Sequence, residues 1–217
     1  MFESKYSKVL TVILVIVIIA IVGLLGFLAY DYYQNYIITK DTSEYVDNFQ
    51  GEMEDGEVSD DTNSSDVNSF GDIKDADTSS SSKTWTYKGF GVLGTMEIPA
   101  ISLKYPVLEK VTKSSIETSV AFLYGTGLNQ AGNSVIIGHN YRNGLFFSNN
   151  KKLNIGDKIY ITDTSGTKLT YTIYNKFETT PEDTSFYQKD TGGKPEVTLS
   201  TCTDDSSARL IIFAKSE

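Results

Sequence analysis

Cysteine, histidine and tryptophan occur once each in the 217 residues, and proline four times. A lone cysteine, Cys202, excludes an intramolecular disulfide, so any folded part depends on its own core. Together with the lone histidine, His139, it also falls short of the four ligands of an ordinary structural zinc site. Arginine is scarce as well: only Arg142 and Arg209 occur among the nineteen basic residues, and nowhere do basic residues cluster densely. That excludes the charge footprint of a nucleic-acid partner. The formal net charge of −9 is unevenly spread. Residues 41–84 hold thirteen Asp and Glu against Lys74 and Lys83, a balance of −11, which leaves +2 for the rest.

The chain is well supplied with one long apolar run. Residues 9–29 read VLTVILVIVIIAIVGLLGFLA, and at about 1.5 Å per residue such a helix spans the roughly 30 Å hydrocarbon core of a bilayer. Lys5 and Lys8 precede it and Asp31 follows, so the positive-inside rule places residues 1–8 in the cytoplasm and everything after the span outside the cell. The exit, FLAYDYYQN, has no small-x-small cleavage site, which makes the run an uncleaved signal anchor. Residues 30–84 then read as an acidic linker. From residue 41 on they are rich in Ser, Asp, Glu and Gly and poor in apolar residues, which predicts a mostly disordered or loosely helical stalk, extended by its own charge. Residues 85–217 remain as one extracellular domain of ordinary size.

Strand signals dominate that domain. GVLGTMEIPAISLKYPVLE holds two β-rich runs parted at Pro99, and SVIIGH, DKIYITD, KLTYTIYN, EVTLSTC and RLIIFAK are further runs of Val, Ile, Thr, Tyr and Phe. DTSGT is a hairpin turn between two of them. Helical signals are short: Ser114 and Glu117 have capping-box spacing for one turn, and LFFSNNKKL suits another. Seven or eight closely spaced strands with little helix predict a compact β-barrel or sandwich. GFGVLG at 89–94 matches a dinucleotide fingerprint by spacing, but TMEIPA follows it where a helix should begin. Those glycines fit a close backbone approach instead.

Strand alternation separates the residues around the cysteine. In EVTLSTC, Val197, Leu199 and Thr201 share one face, and Thr198, Ser200 and Cys202 share the other. If the valine and leucine point into the core, Cys202 lies on a polar face at a strand's end. TDDSSA and then RLIIFAK follow, so a hairpin would bring Arg209 opposite Cys202 across the loop. His139 likewise stands where SVIIGH runs out into NYRNG. A thiol nucleophile needs an acid for its leaving group, and imidazole is matched to neutral pH; that role falls to His139 or to a carboxylate.

Strand-terminal TLSTC, an arginine seven residues on, and VIIGHN upstream together resemble the sortases, the cysteine transpeptidases of Gram-positive bacterial surfaces. GTMEIPAISLKYPV is similar to that family's first two strands, and the resemblance covers residues 88–215. It implies a closed eight-stranded β-barrel with short helices, carried behind a transmembrane helix. It implies that Cys202 attacks the Thr-Gly bond of an LPxTG-like sorting motif, that Arg209 stabilises the oxyanion, and that His139 is the acid and then the base. Thr201 and Ser200 would contact substrate. The implied partners are surface proteins bearing a sorting signal and the amine of a peptidoglycan cross-bridge or its lipid-linked precursor, with no cofactor. Ser200 in TLSTC leans towards class B, whereas KLNIGDKIYITD and the short segment before EVTLS read more like classes A, C or D. No Asp-Pro-aromatic lid element precedes the barrel and no apolar run follows Lys215, so pilus assembly is not expected. Glu178, Glu182 and Asp183 read as a solvated loop face and not as a calcium site. Two rivals stand beside this reading: a membrane-anchored cysteine peptidase that ends in hydrolysis, and a non-enzymatic β-domain in which Cys202 and His139 only pack.

Overall fold

The computed structural model describes residues 3–55 and 84–217. The chain forms two compact units, residues 1–41 and 42–217. The first is helical, part of α1 (Glu3–Asp55). Its side chains from Val9 to Leu28 are exposed, and among the described residues α1 is the one helix long and apolar enough to cross a membrane.

The helix does not stop where the apolar run stops. Residues 30–55, the start of the stretch expected to be a mostly disordered or loosely helical stalk, are helical. The acidic composition hides a stripe at helical spacing: Thr42, Val46 and Phe49 are fully buried, with Tyr45 alongside. Within the second unit this stripe packs on the start of the β-domain. The Phe49 ring centroid lies 4.5 Å from that of Trp85, and Tyr45 meets Tyr87 edge-on at 5.0 Å. Lys104 Nζ reaches Asp47 at 2.6 Å, and Gln50 donates to Glu97. The folded domain thus begins at about Thr42, well before residue 85. The remaining acidic residues, 56–83, lie outside the described residues. Because Phe49 is wholly buried, Phe49→Ala is expected to cost about 3–5 kcal/mol. A lowered thermal midpoint of the full chain checks this, and an unchanged midpoint would show that the helix end is only resting on the domain.

Eight strands close a barrel. They are β2 (Phe90–Ile98), β3 (Leu103–Leu108), β4 (Val120–Tyr124), β5 (Gly132–Ile137), β6 (Lys158–Asp163), β7 (Lys168–Thr179), β8 (Pro195–Cys202) and β9 (Arg209–Ser216). The order is β2-β3-β4-β5-β8-β9-β7-β6, and β6 pairs back onto β2. A ninth strand, β1 (Thr86–Tyr87), only forms a hairpin with β2. Closure leaves the barrel without a long free edge. The β3–β4 and β5–β8 pairs are parallel, the rest antiparallel.

Local chemistry accounts for the junctions. Asp163 Oδ1 accepts from the amides of Ser165 and Thr167, which makes DTSGT the β6–β7 turn. At Gly94 a Cβ would stand 2.3 Å from the Thr162 carbonyl oxygen; that close approach, not phosphate binding, is what the glycine-rich stretch provides. The single-turn helix α2 (Lys113–Ile116) is capped two residues before the predicted pair. Thr112 and Ser115 form the reciprocal box, because the Ser115 side chain is buried and reaches back to the Thr112 amide at 2.8 Å. LFFSNNKKL contributes one 3-10 turn, Asn150–Lys152.

Candidate active site

The core of the site is a strand pair. In the β8–β9 register, Cys202 stands directly opposite Arg209, as Ser200 does opposite Ile211 and Thr198 opposite Phe213. Paired residues project to the same side of a sheet, so Cys202 and Arg209 share the outer face of the barrel. The Arg209 Nη1 donates to Cys202 Sγ. Strand β5 lies on the other side of β8, in parallel, with Ile137 opposite Ser200. His139 leaves that strand two residues later, and the three strand ends meet at one rim of the barrel.

Both faces of β8 are covered, which alternation alone did not reveal. Val197 and Leu199 are fully buried on the inner side, but Thr198 is fully buried on the outer side and Ser200 nearly so. The cover is the β7–β8 connection, residues 180–194, whose Phe186 packs with Val135 and Ile211. The cover ends near Cys202, which is partly exposed. Between the two lies a cleft of about 230 Å³. His139, Cys202, Arg209, Ser200 and Thr201 all line it, and Leu123, Ile137, Phe186 and Tyr187 make an apolar wall.

The five predicted residues play unequal parts. Thr201 borders the cleft, but its hydroxyl is buried and donated to the Gly138 carbonyl at 2.7 Å. That bond ties β8 to the residue before His139. Gly138 itself admits no side chain easily: a Cβ would stand 2.9 Å from Val120 Cγ1 and 3.0 Å from the Phe147 ring. Ser200 is placed in the cleft wall. His139 is half-buried with its ring stacked on Tyr141 at 4.8 Å. Burial pushes its imidazolium below the ordinary imidazole range, and the nearby Glu117 carboxylate opposes that in part.

Residues that pattern reading passed over hold the rim together. Asn140 Nδ2 donates to the Cys202 carbonyl at 3.0 Å and to Asp204 Oδ1 at 2.9 Å, joining the histidine's loop to the cysteine's. Asp204 also meets Lys151 at 2.5 Å, a half-exposed pair of little energetic weight. The loop between β8 and β9 is shaped by Asp205. Hydrogen bonds from Thr203 and Ser207 hold its carboxyl down at about 2. Asp183, assigned to a solvated loop, borders the cleft, and Ser185 and Thr179 bond its carboxylate and hold it below the usual range. Only the GHN tripeptide hinted at Asn140. Among the described residues no three His, Cys, Asp or Glu side chains gather as a metal would require.

This arrangement has the parts for acyl transfer: a partly exposed thiol, a fixed cation on it, and an imidazole on the same cleft. The comparisons with known proteins agree. Residues 96–217 match the model of the sortase domain. A sortase A of Bacillus anthracis is 32% identical over 124 residues, covering 56% of this chain and 58% of that protein. A sortase A of Streptococcus agalactiae is 28% identical over 133 residues, covering 58% and 53%. The chain thus spans little more than half the length of these relatives. Among solved structures, sortase A from Corynebacterium diphtheriae superposes with a TM-score of 0.54 at 30% identity, over 59% of this chain and 61% of that one. Structures named sortase C1 and sortase D5 reach 0.53, so fold similarity does not separate the classes. From Met96 to its last residue, over the closed barrel and the cleft where TLSTC ends, this chain belongs to the sortase family.

Proposed function

We propose that the protein is a membrane-anchored cysteine transpeptidase that cuts an LPxTG-like sorting motif and passes the acyl half to a cell-wall amine. One observation carries this reading: the hairpin register that sets Arg209 on the Cys202 sulfur, in a cleft His139 also lines. The Cys202 thiol passes its proton to His139 as its sulfur adds to the threonine carbonyl carbon, and the Arg209 guanidinium faces the oxyanion that forms. As the tetrahedral centre collapses, the C–N bond breaks and His139 gives its proton to the departing glycine amine. A thioester remains. An incoming amine then attacks it, neutral His139 takes that amine's proton, the C–S bond breaks, and His139 passes the proton to the departing sulfur to regenerate the thiol. No cofactor enters the balance.

The apolar part of α1 would anchor the chain, with residues 1–8 inside and the barrel outside, the orientation that the positive-inside rule favours with Lys5 and Lys8 before the span. The acyl donors would be surface proteins bearing a sorting signal, and the acceptor an amine of the peptidoglycan cross-bridge or its lipid-linked precursor.

The test uses the full chain in detergent, with LPxTG-type and NPxTN-type peptides, with and without triglycine, read by intact mass. The expected result is an adduct equal to the N-terminal half of one peptide, mapped to Cys202 and discharged onto the amine. An adduct that water removes equally fast with or without triglycine would make the protein a peptidase. No adduct with any peptide, while iodoacetamide still alkylates Cys202, would overturn the enzymatic reading.

A further inference from the structure

Strand β5 carries one buried amide, opposite Glu196 of β8. Asn133 is 7% exposed, and its side-chain nitrogen and oxygen are both engaged. Nδ2 donates to the carbonyl oxygens of two successive residues, Phe186 at 3.0 Å and Tyr187 at 3.1 Å. Oδ1 accepts from the hydroxyl of the fully buried Thr198 at 2.7 Å. None of these bonds reaches Cys202, Arg209 or His139. Burying an amide is unfavourable unless every group is paired, and here the pairing fixes one place along the β7–β8 connection.

That place matters for the cleft. Phe186 and Tyr187 form its apolar wall, packed edge to face at 4.8 Å, and Tyr187 stacks on Tyr124 at 5.5 Å. The connection has no strand or helix to hold it. Its further anchor, the Lys189–Glu196 pair at 2.5 Å, lies beyond the wall on the side of β8. Between the turn at Asp183 and that pair, Asn133 is what ties the wall's backbone to the barrel.

We propose that Asn133 is a positioning residue for substrate binding: through Phe186 and Tyr187 it holds the cleft wall at the spacing an acyl-donor peptide needs. Thr198 orients the amide so that Nδ2, and not Oδ1, faces the two carbonyls. The inference rests on the transpeptidase reading and adds to it a residue that sets affinity without touching the reacting atoms.

The test measures KM and kcat of the full chain in detergent for an LPxTG-type peptide with triglycine as acceptor, beside the rate of Cys202 alkylation by iodoacetamide. Asn133→Ala is expected to raise KM about tenfold, the effect of roughly one lost hydrogen bond, with kcat and alkylation within about twofold of wild type. Thr198→Val, which removes only the orienting hydroxyl, should shift KM in the same direction by less, and it serves as the test if Asn133→Ala does not fold. A folded variant with unchanged KM overturns the role of Asn133. So does a parallel fall in kcat and alkylation, which would mark a general loosening of the barrel. Failure of the wild type to turn over any peptide would instead overturn the transpeptidase reading, and this inference with it.

Discussion

Arg209→Ala is expected to lower kcat/KM for a peptide acyl donor by about 10²–10³, the usual consequence of removing one preorganised oxyanion donor. The position is fixed by backbone pairing, since β9 begins at Arg209 and pairs it with Cys202. The substitution leaves that ladder intact, so the thermal midpoint should move little while the rate falls. Arg209→Lys should recover only a small part. A guanidinium is a planar fork that can hold the sulfur with one arm and still present N–H groups to an oxyanion, whereas an ammonium is a mobile point charge. Rates at saturating peptide separate the two effects of the cation: a fall in kcat reports charge stabilisation, and a rise in KM reports a lost substrate contact. A kcat/KM within about threefold of wild type in Arg209→Ala would remove the arginine from the chemistry.

How far this site could be read from sequence depends on which contacts are local. The β8–β9 hairpin was legible because its register follows from one short loop: TLSTC, six residues, then RLIIFAK. The closed barrel was legible through the family resemblance, and strand propensity alone allowed a sandwich as well. Three features depended on contacts distant in sequence and were missed for that reason. Alternation gave β8 a polar outer face, but the 180–194 connection buries Thr198 and Ser200 there. Thr201 lines the cleft, but nothing in TLSTC shows that its hydroxyl is donated to Gly138, 63 residues away. The end of α1 was hidden because its charges are conspicuous and its buried stripe is short: Thr42, Val46 and Phe49 acquire meaning only against Trp85 and Tyr87. Composition measures the solvated face of such a helix, and folding responds to the other one.

His139→Ala is expected to cost about 10²–10⁴ in rate, the range of a lost general acid and base, and to erase one limb of the pH profile. The sign of that limb follows from the surroundings of the ring. Partial burial disfavours the imidazolium, so the proton leaves at a lower pH than from a free imidazole, and the Glu117 carboxylate draws the value part of the way back. In wild type the limb of kcat/KM that belongs to His139 should therefore lie on the acid side of the ordinary imidazole value. Glu117→Gln deletes the opposing charge and leaves the burial, so the same limb should move further towards acid. Glu117 is exposed, which makes its share sensitive to salt; raising the ionic strength of the wild type should move the limb in the same direction as the substitution. The two perturbations then converge, because each removes the same stabilisation of one protonated ring. A limb that persists in His139→Ala would assign it to another group, and one that moves towards alkali in Glu117→Gln would reverse the sign of the interaction. A carboxylate would then have to replace the imidazole as the acid that frees the leaving amine; Asp183 borders the cleft, and Glu178 and Asp204 line a second recess beside Cys202. The Asp183 carboxyl is held ionised by the bonds from Ser185 and Thr179, and that of Asp204 by those from Lys151 and Asn140, the wrong state for donating a proton. That is why the imidazole is the stronger assignment even before the profile is measured.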